Sequence, residues 1–291
     1  MSVSADHLGA ETNAARHAKL LSLNDDPRMD KERGKVVKAR GGGRNTESFD
    51  PLSTVVRPSM RVVIGPNRPT LDRPIKHDDC ILVPNFFCEE DDWSIYYKLV
   101  EEMREAQAKG VRKSEFLSWH EGAHLLSMNP SGSPTFNDIQ ARISKYFGIC
   151  NDKVGTRFNW YRDGTDWKPF HHDSAAFNPQ RARDQDITVG VSFGATRELA
   201  FLHAASGTDT RIYFPQTNGM LFSFGKDVNI HWKHGINALS EAERQVGPGC
   251  AIAAEAGTNG LGRVSIVLWG LCPLAVAEEG SPALLTDNTR G

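Results

Sequence analysis

The chain has 291 residues, 39% of them hydrophobic, which is enough to bury a full core in one large domain or two small ones. Its 34 Lys and Arg residues against 36 Asp and Glu residues leave a formal net charge of −2, which excludes a dedicated nucleic-acid binder with a basic surface overall. The five cysteines are odd in number and form no C-x-x-C pair, which argues against a disulfide framework and against a structural zinc site.

The N-terminal part of the sequence is polar and then rich in proline. We expect residues 1–50 to be a disordered, partly basic tail, with a short helix near residues 13–23. The segment Lys31–Arg44 holds six basic residues against one acid, which fits either a solubilising tail or an arm that contacts nucleic acid or directs nuclear import. Residues 51–77 contain five prolines and are predicted to be a linker or an irregular edge. We therefore place the domain boundary near Ile75, with a folded domain over 78–275 and a C-terminal tail over 276–291.

A strand and a helix are predicted at the start of this domain. Ile81–Val83 is a short apolar run typical of a strand. A helix is expected from Glu89 onward, because the four acids at 89–92 would then lie in its first turn, where they suit the helix dipole. Gly110 can end this helix.

A second helix is predicted from its two ends. Ser133 is a suitable N-cap, and the proline that follows it suits the first helical position. Apolar residues then recur at helical spacing from Phe136 to Phe147. Gly148 is placed to end the helix.

The rest of the sequence has the patterns of β-strands. Between Ile187 and Phe193 large apolar residues alternate with small or polar ones. Similar runs occur at Leu199–Leu202, Met220–Phe224 and Val264–Trp269. Two or three helices followed by many short strands predict an α+β fold, in which the N-terminal helices support a double-stranded β-helix, or jelly roll.

One short motif carries metal chemistry. His171 and Asp173 are two residues apart, and on a strand such side chains share one face, so both could reach one ion. His234 could supply the third ligand from another strand. Two histidines and one carboxylate form the facial triad that leaves open positions on iron(II). From chemistry alone, His172 could replace the first histidine and His231 the last, and a hydrolytic zinc enzyme could use the same ligands.

Four ordered motifs surround these residues. They are Asn159-x-Tyr161-x-Asp163-Gly164-x-Asp166 before His171 and Asp173, the segment from Ser192 to Phe201 (SFGATRELAF), Gly219-Met220-Leu221 before His231-Trp232-Lys233-His234, and Arg263 at the start of the last core strand. In this order they resemble the AlkB-like family of Fe(II)- and 2-oxoglutarate-dependent dioxygenases. The resemblance covers roughly residues 80–272.

The resemblance implies an oxidoreductase that uses Fe(II), 2-oxoglutarate as cosubstrate, and O2. It implies metal ligands at His171, Asp173 and His234, hydrogen bonds to 2-oxoglutarate from Asn159 and Tyr161, and a bond from Arg263 to the distal carboxylate of the cosubstrate. A guanidinium suits this last role because its planar fork matches a carboxylate.

One position departs from the family pattern. A second arginine is usual six positions after the first, and the residue here is Trp269. Three interpretations stay open: cosubstrate binding is weak, another residue such as Arg197 compensates, or a different cosubstrate is used. The spacer between His234 and Arg263 is also long and rich in Gly and Ala.

The substrate that the resemblance implies is an alkylated base of single-stranded DNA or RNA, demethylated with release of formaldehyde. A flipped base needs aromatic walls and cationic backbone contacts. The candidates are Trp119, His120, Trp160, Tyr213 and Trp232 for walls, and Arg112 and Lys113 for phosphate contacts. The alternatives are a hydroxylase of a protein side chain or small metabolite, and a catalytically impaired binding module.

Two further expectations concern location and assembly. The sequence has no run of about 18 apolar residues, and residues 1–25 lack the apolar core of a secretory signal. We therefore expect a cytoplasmic or nuclear protein without membrane contact. A monomer is the default expectation.

Overall fold

Two β-sheets dominate the computed structural model, which describes residues 59–118, 121–127, 130–150, 153–205, 207–246, 261–276 and 281–286. The predictions for the N-terminal tail and its helix lie outside the described residues. The strands are β1 Arg61–Ile64, β2 Ile75–Lys76, β3 Asp79–Val83, β4 Leu125–Ser127, β5 Gly155–Tyr161, β6 Lys168–His171, β7 Ile187–Gly194, β8 Arg197–His203, β9 Arg211–Gln216, β10 Leu221–Gly225, β11 Trp232–Ile236, β12 Arg263–Gly270 and β13 Ala275–Val276. The helices are α1 Ser94–Ala108, α2 Pro134–Phe147, α3 Pro179–Asp184, α4 Lys226–His231 and α5 Glu241–Val246.

The strands form one large and one small sheet. The large sheet has seven strands in the order β1-β3-β10-β7-β12-β5-β4. The small sheet has four strands in the order β6-β11-β8-β9, and β2 pairs separately with β13. Apart from β1 with β3 and β2 with β13, the strand pairs are antiparallel. The expected mixture of helices and many short strands is therefore present.

The large sheet buries both of its faces. Alternate residues of β7 and β12, such as Val191 and Ile266, pack against α1 and α2 in one apolar cluster. The opposite face lies against the small sheet, where residues such as Phe222 of β10 and Phe201 of β8 form a second cluster. Since side chains alternate along a strand, the polar residues of β5, β7 and β12 point into the space between the sheets.

The ends of α2 agree with the sequence. The Ser133 hydroxyl accepts a hydrogen bond from the backbone N–H of Phe136 at 3.0 Å, as an N-cap does. Gly148 adopts a left-handed conformation with φ of 68° after the last turn. A residue without a Cβ takes this conformation at little cost, so this helix ends as predicted.

The start of α1 corrects the sequence prediction. The helix begins at Ser94 rather than at Glu89, so the acids at 89–92 precede its first turn. The Asp92 carboxylate instead accepts a hydrogen bond from the Ser94 backbone N–H at 3.0 Å. Side-chain bonding of this local kind competes with helix geometry, which explains why four acids did not begin the helix.

The segment before the expected boundary contains regular structure. β1 lies at the edge of the large sheet and pairs in parallel with β3, where Val63 stands opposite Ile81. β2 begins at Ile75 itself. In the described part of the chain, no helix has the length and apolar character that crossing a membrane would need.

Candidate metal centre

The structure brings His171, Asp173 and His234 together between the two sheets. His171 ends β6 and stands directly opposite His234 of β11. The Nε2 atoms of His171 and His234 lie 3.9 Å and 3.8 Å from the Asp173 Oδ1 atom. One potential ligand atom from each residue falls within 4.8 Å of the others, so the three could converge on one metal ion.

Two polar side chains hold Asp173 in place. The Thr188 hydroxyl donates to the Asp173 Oδ2 atom at 2.8 Å, which leaves Oδ1 facing the histidines. The Asn229 amide brackets the backbone of Asp173, accepting from its N–H at 2.9 Å and donating to its carbonyl at 3.2 Å. Outer contacts of this kind orient metal ligands and raise metal affinity.

The alternative histidines point elsewhere. The His172 ring places Nδ1 at 2.6 Å from the backbone carbonyl of Asn229. His231 lies parallel to His203, with ring centroids 6.3 Å apart. Within the residues that the structure describes, the group of His, Cys, Asp and Glu side chains close enough to share an ion consists of His171, Asp173 and His234.

The protonation states suit a metal cation. Burial lowers the pKa of His234 to about 4. Burial, together with the nearby His234 and Lys168, also lowers the pKa of His171 well below its ordinary value, so both rings are neutral at pH 7. His171 Nδ1 lies 2.9 Å from the Pro169 carbonyl, an acceptor that fixes the proton on Nδ1 and leaves Nε2 free to bind a metal. Burial raises the pKa of Asp173, but the nearby His234 and His171 outweigh burial and lower that pKa.

A cavity that opens to solvent adjoins these residues, and the other residues named from the sequence line it. Asn159 and Tyr161 of β5, Arg263 of β12, and Asp173 and His234 all line it. The predicted site residues therefore surround one space.

Asn159 and Tyr161 are both positioned by His124. The Asn159 amide group donates to the Ser265 carbonyl at 3.1 Å, so its Oδ1 atom faces His124 Nε2 at 3.0 Å. The His124 ring stacks on the Tyr161 ring with centroids 5.0 Å apart. Burial and the nearby Lys168 lower the pKa of His124 to about 4, so the ring is neutral at pH 7.

Arg263 is a buried cation at the same end of the cavity. Its side chain is 1% exposed, and its Nε donates to the Ser192 hydroxyl at 2.8 Å. Its guanidinium lies over the Tyr161 ring, 5.0 Å from the centroid. Burial lowers the pKa of Arg263 to about 10, so it is still a cation at neutral pH. Its Nη1 atom makes no hydrogen bond to the described residues.

Arg197 and Trp269 were considered because the second family arginine is missing, and the structure shows what each of them contacts. The Arg197 guanidinium donates to the backbone carbonyls of Asp163, Asp166 and Asn237, and Arg197 is not among the residues that line the cavity. It therefore ties loops together. Trp269 lines the cavity near Asp173, and its indole Nε1 makes no hydrogen bond to the described residues.

Sequence reasoning missed several residues of the site. Thr188 and Asn229, which hold Asp173, and His124, which holds Asn159, carry no pattern that marks them. Lys168 also lines the cavity. Its position three residues before His171 gave no signal, because a regular strand would turn its side chain to the opposite face.

Most of the proposed base-binding residues lie away from the cavity. Trp160 packs against Phe116 on the helix side of β5, beneath the guanidinium of Arg104. Trp232 belongs to the core between the sheets. Tyr213, Arg112 and Lys113 are exposed, while Trp119 and His120 lie outside the described residues.

Of the comparisons with known proteins, the one with solved structures found matches. No family model matches the sequence, and no curated protein matches it. A Pseudomonas putida prolyl-4-hydroxylase is 13% identical with a TM-score of 0.38, covering 66% of this chain and 91% of that one. OsALKBH1 is 16% identical with a TM-score of 0.40, covering 65% and 97%. The non-heme alpha-ketoglutarate dependent epimerase SnoN from nogalamycin biosynthesis is 15% identical with a TM-score of 0.41, covering 72% and 89%. These values are too low for the chemistry of the neighbours to be transferred to this chain.

Proposed function

We propose that this protein is an Fe(II)- and 2-oxoglutarate-dependent dioxygenase that holds its metal through His171, Asp173 and His234. One observation carries the proposal: the three ligand atoms lie within 4.8 Å of one another beside a cavity that also contains a buried arginine. Three protein ligands leave three positions open on an octahedral iron, which suits catalysis. The buried cation favours an acidic cosubstrate, which a hydrolytic zinc enzyme would not need.

We also propose that the two sheets form a double-stranded β-helix of the AlkB-like kind. The support is the order of motifs in the sequence together with the facing sheets, which enclose the site from both sides. The folded unit would then include β1, which pairs with β3, although the sequence boundary was placed near Ile75.

The residues of this chain would divide the work as follows. Bound iron would supply the oxidation, in which O2 converts 2-oxoglutarate to succinate and CO2 and places one oxygen atom on a C–H bond of the substrate. Arg263 would bind the distal carboxylate of the cosubstrate through its unpaired Nη1 atom. Tyr161 and Asn159 would orient the cosubstrate, and the apolar wall of Phe222 and Phe224 would keep water out.

For the substrate we propose an N-methylated base in single-stranded DNA or RNA, as the sequence resemblance implies. Insertion of oxygen would convert the N-methyl group to an N-hydroxymethyl group. That group would lose formaldehyde and restore the N–H of the base. A protein side chain or a small metabolite is the alternative, and it would give a stable hydroxylated product.

The experiment is succinate release from 2-oxoglutarate by purified full-length protein with Fe(II) and ascorbate. His171→Ala should abolish turnover, whereas His231→Ala, the matched change at a histidine outside the cluster, should keep it. A panel of methylated single-stranded oligonucleotides is added, and formaldehyde is measured. Formaldehyde with one oligonucleotide would establish the substrate class.

Two results would count against the proposal. Absence of succinate from wild-type protein that binds iron would refute the dioxygenase and favour a binding module. Succinate without formaldehyde from any oligonucleotide would refute the nucleic-acid substrate while keeping the reaction class.

A further inference from the structure

The small sheet contains an irregularity beside the candidate metal centre. His234 of β11 stands opposite His171 of β6, but Ile236, two residues further along β11, stands opposite Lys168, three residues back along β6. Such a bulge re-aims one side chain of the longer strand. As a result Lys168 faces the same cavity as His234, although a regular strand would direct Lys168 and His171 to opposite faces.

The carboxylate that interacts with the Lys168 ammonium, Asp173, also faces the two candidate histidines. Among the residues that the structure describes, Lys168 makes no ion pair and no hydrogen bond through its side chain. Asp173 is the only carboxylate residue among those lining the cavity, and it faces the two histidines. A half-buried cation without an ion-pair partner costs free energy, which a ligand that supplies the counter-charge would recover.

Arg263 gives the same cavity a second cation with spare hydrogen-bond donors. Burial is the main cause that lowers the pKa of Lys168 to about 8; Asp173 opposes it, and Arg263 lies close enough to lower that pKa further. Arg157, whose guanidinium lies 5.7 Å from the Trp269 ring centroid, contributes in the same direction. Two cations, Lys168 and Arg263, against the single carboxylate of Asp173 leave the lining with an excess of positive charge, which favours an anionic ligand.

The position along the sheet suggests which part of the ligand Lys168 would meet. Lys168 is level with Ile236, which lies two residues beyond His234, or about 7 Å along the strand. A linear five-carbon diacid bound to the metal by one end would place its other carboxylate at a similar distance. Trp269, by contrast, lies near Asp173 and carries no charge.

We propose that Lys168 and Arg263 together bind the distal carboxylate of the cosubstrate. Lys168 would then supply the second positive charge, since Trp269 stands where the family has its second arginine. This inference rests on the proposed function. It predicts that the site selects 2-oxo acids with a second carboxylate over those without one.

The test measures binding rather than turnover. Full-length wild type, Lys168→Met and Lys168→Arg are loaded with Ni(II), which occupies the metal site without reacting with O2. The affinity for 2-oxoglutarate and for 2-oxobutyrate, which lacks the distal carboxylate, is then measured by calorimetry. Lys145→Met, a change of the same kind at an exposed lysine of α2, is the matched control.

Lys168→Met should weaken 2-oxoglutarate binding by about 10- to 100-fold, the usual effect of removing a charged partner of a carboxylate. It should leave 2-oxobutyrate binding and Ni(II) binding within about threefold. Lys168→Arg should restore most of the 2-oxoglutarate affinity, and the control should match wild type. Unchanged 2-oxoglutarate affinity in Lys168→Met, or an equal loss for both 2-oxo acids, would refute the inference alone. A wild-type protein that binds Ni(II) but not 2-oxoglutarate would refute the proposed function and the inference together.

Discussion

Lys168→Met should stabilise the metal-free protein while it weakens cosubstrate binding. Burial lowers the pKa of Lys168 from 10.5 to about 8, which means that the folded protein disfavours the ammonium. At about 1.4 kcal/mol per pH unit, this difference corresponds to about 3 kcal/mol. Because part of the side chain is exposed and solvent screens it, we expect a gain of about 2 kcal/mol in the free energy of unfolding at pH 7.

The pH dependence of this gain has a definite sign. The penalty is fully present below the folded pKa of about 8, where Lys168 is charged in both states. It fades between pH 8 and 10.5, where the unfolded chain binds the proton and the folded protein does not. The gain from Lys168→Met should therefore shrink by more than half at pH 9.5.

Urea unfolding of both proteins with a chelator present, at pH 7 and at pH 9.5, measures the two values. Lys145→Met, at an exposed position, should change the free energy of unfolding by less than about 0.5 kcal/mol at either pH. If Lys168→Met destabilised the protein at pH 7, the ammonium would have a partner within the chain. The reasoning that assigns it to a ligand would then be wrong.

Three further predictions concern the metal centre and the core. Thr188→Val removes the hydroxyl that holds Asp173 and should lower Co(II) affinity about tenfold by calorimetry, with far-ultraviolet circular dichroism unchanged. Because the pKa of His234 is about 4, its ring stays neutral down to pH 5.5, and Co(II) affinity should change less than about threefold between pH 7.5 and 5.5. One histidine with an ordinary pKa would lose about tenfold there, so a steep fall would contradict the assignment. Gly190→Ala should lower the melting temperature by several degrees, because a Cβ at this position would lie 2.2 Å from the Phe222 ring. An unchanged melting temperature would mean that the ring can move aside.

Much of the secondary structure follows from the local sequence. Ser133 and Gly148 mark the two ends of α2, because capping bonds and the left-handed conformation are properties of single residues. The alternation from Ile187 to Phe193 predicts β7, since a strand turns successive residues to opposite faces. The spacing of His171 and Asp173 likewise suggests a shared metal without knowledge of the fold.

The tertiary structure decided what the sequence left open. His172 and His231 are chemically equal to His171 and His234, but in the structure His172 contacts the Asn229 carbonyl and His231 stacks on His203, while His171 and His234 join Asp173. Such contacts join residues distant in the chain, so no local pattern can reveal them.

Lys168 and Trp269 show the same limit. The bulge that turns Lys168 into the cavity depends on the pairing of β6 with β11, and the approach of Trp269 to Asp173 depends on how β12 lies across the sheet. The sequence by itself determined which chemical groups are available and most of the elements that carry them. Only the packing of the two sheets decided which of those groups share one cavity, because that depends on register between strands that are far apart along the chain.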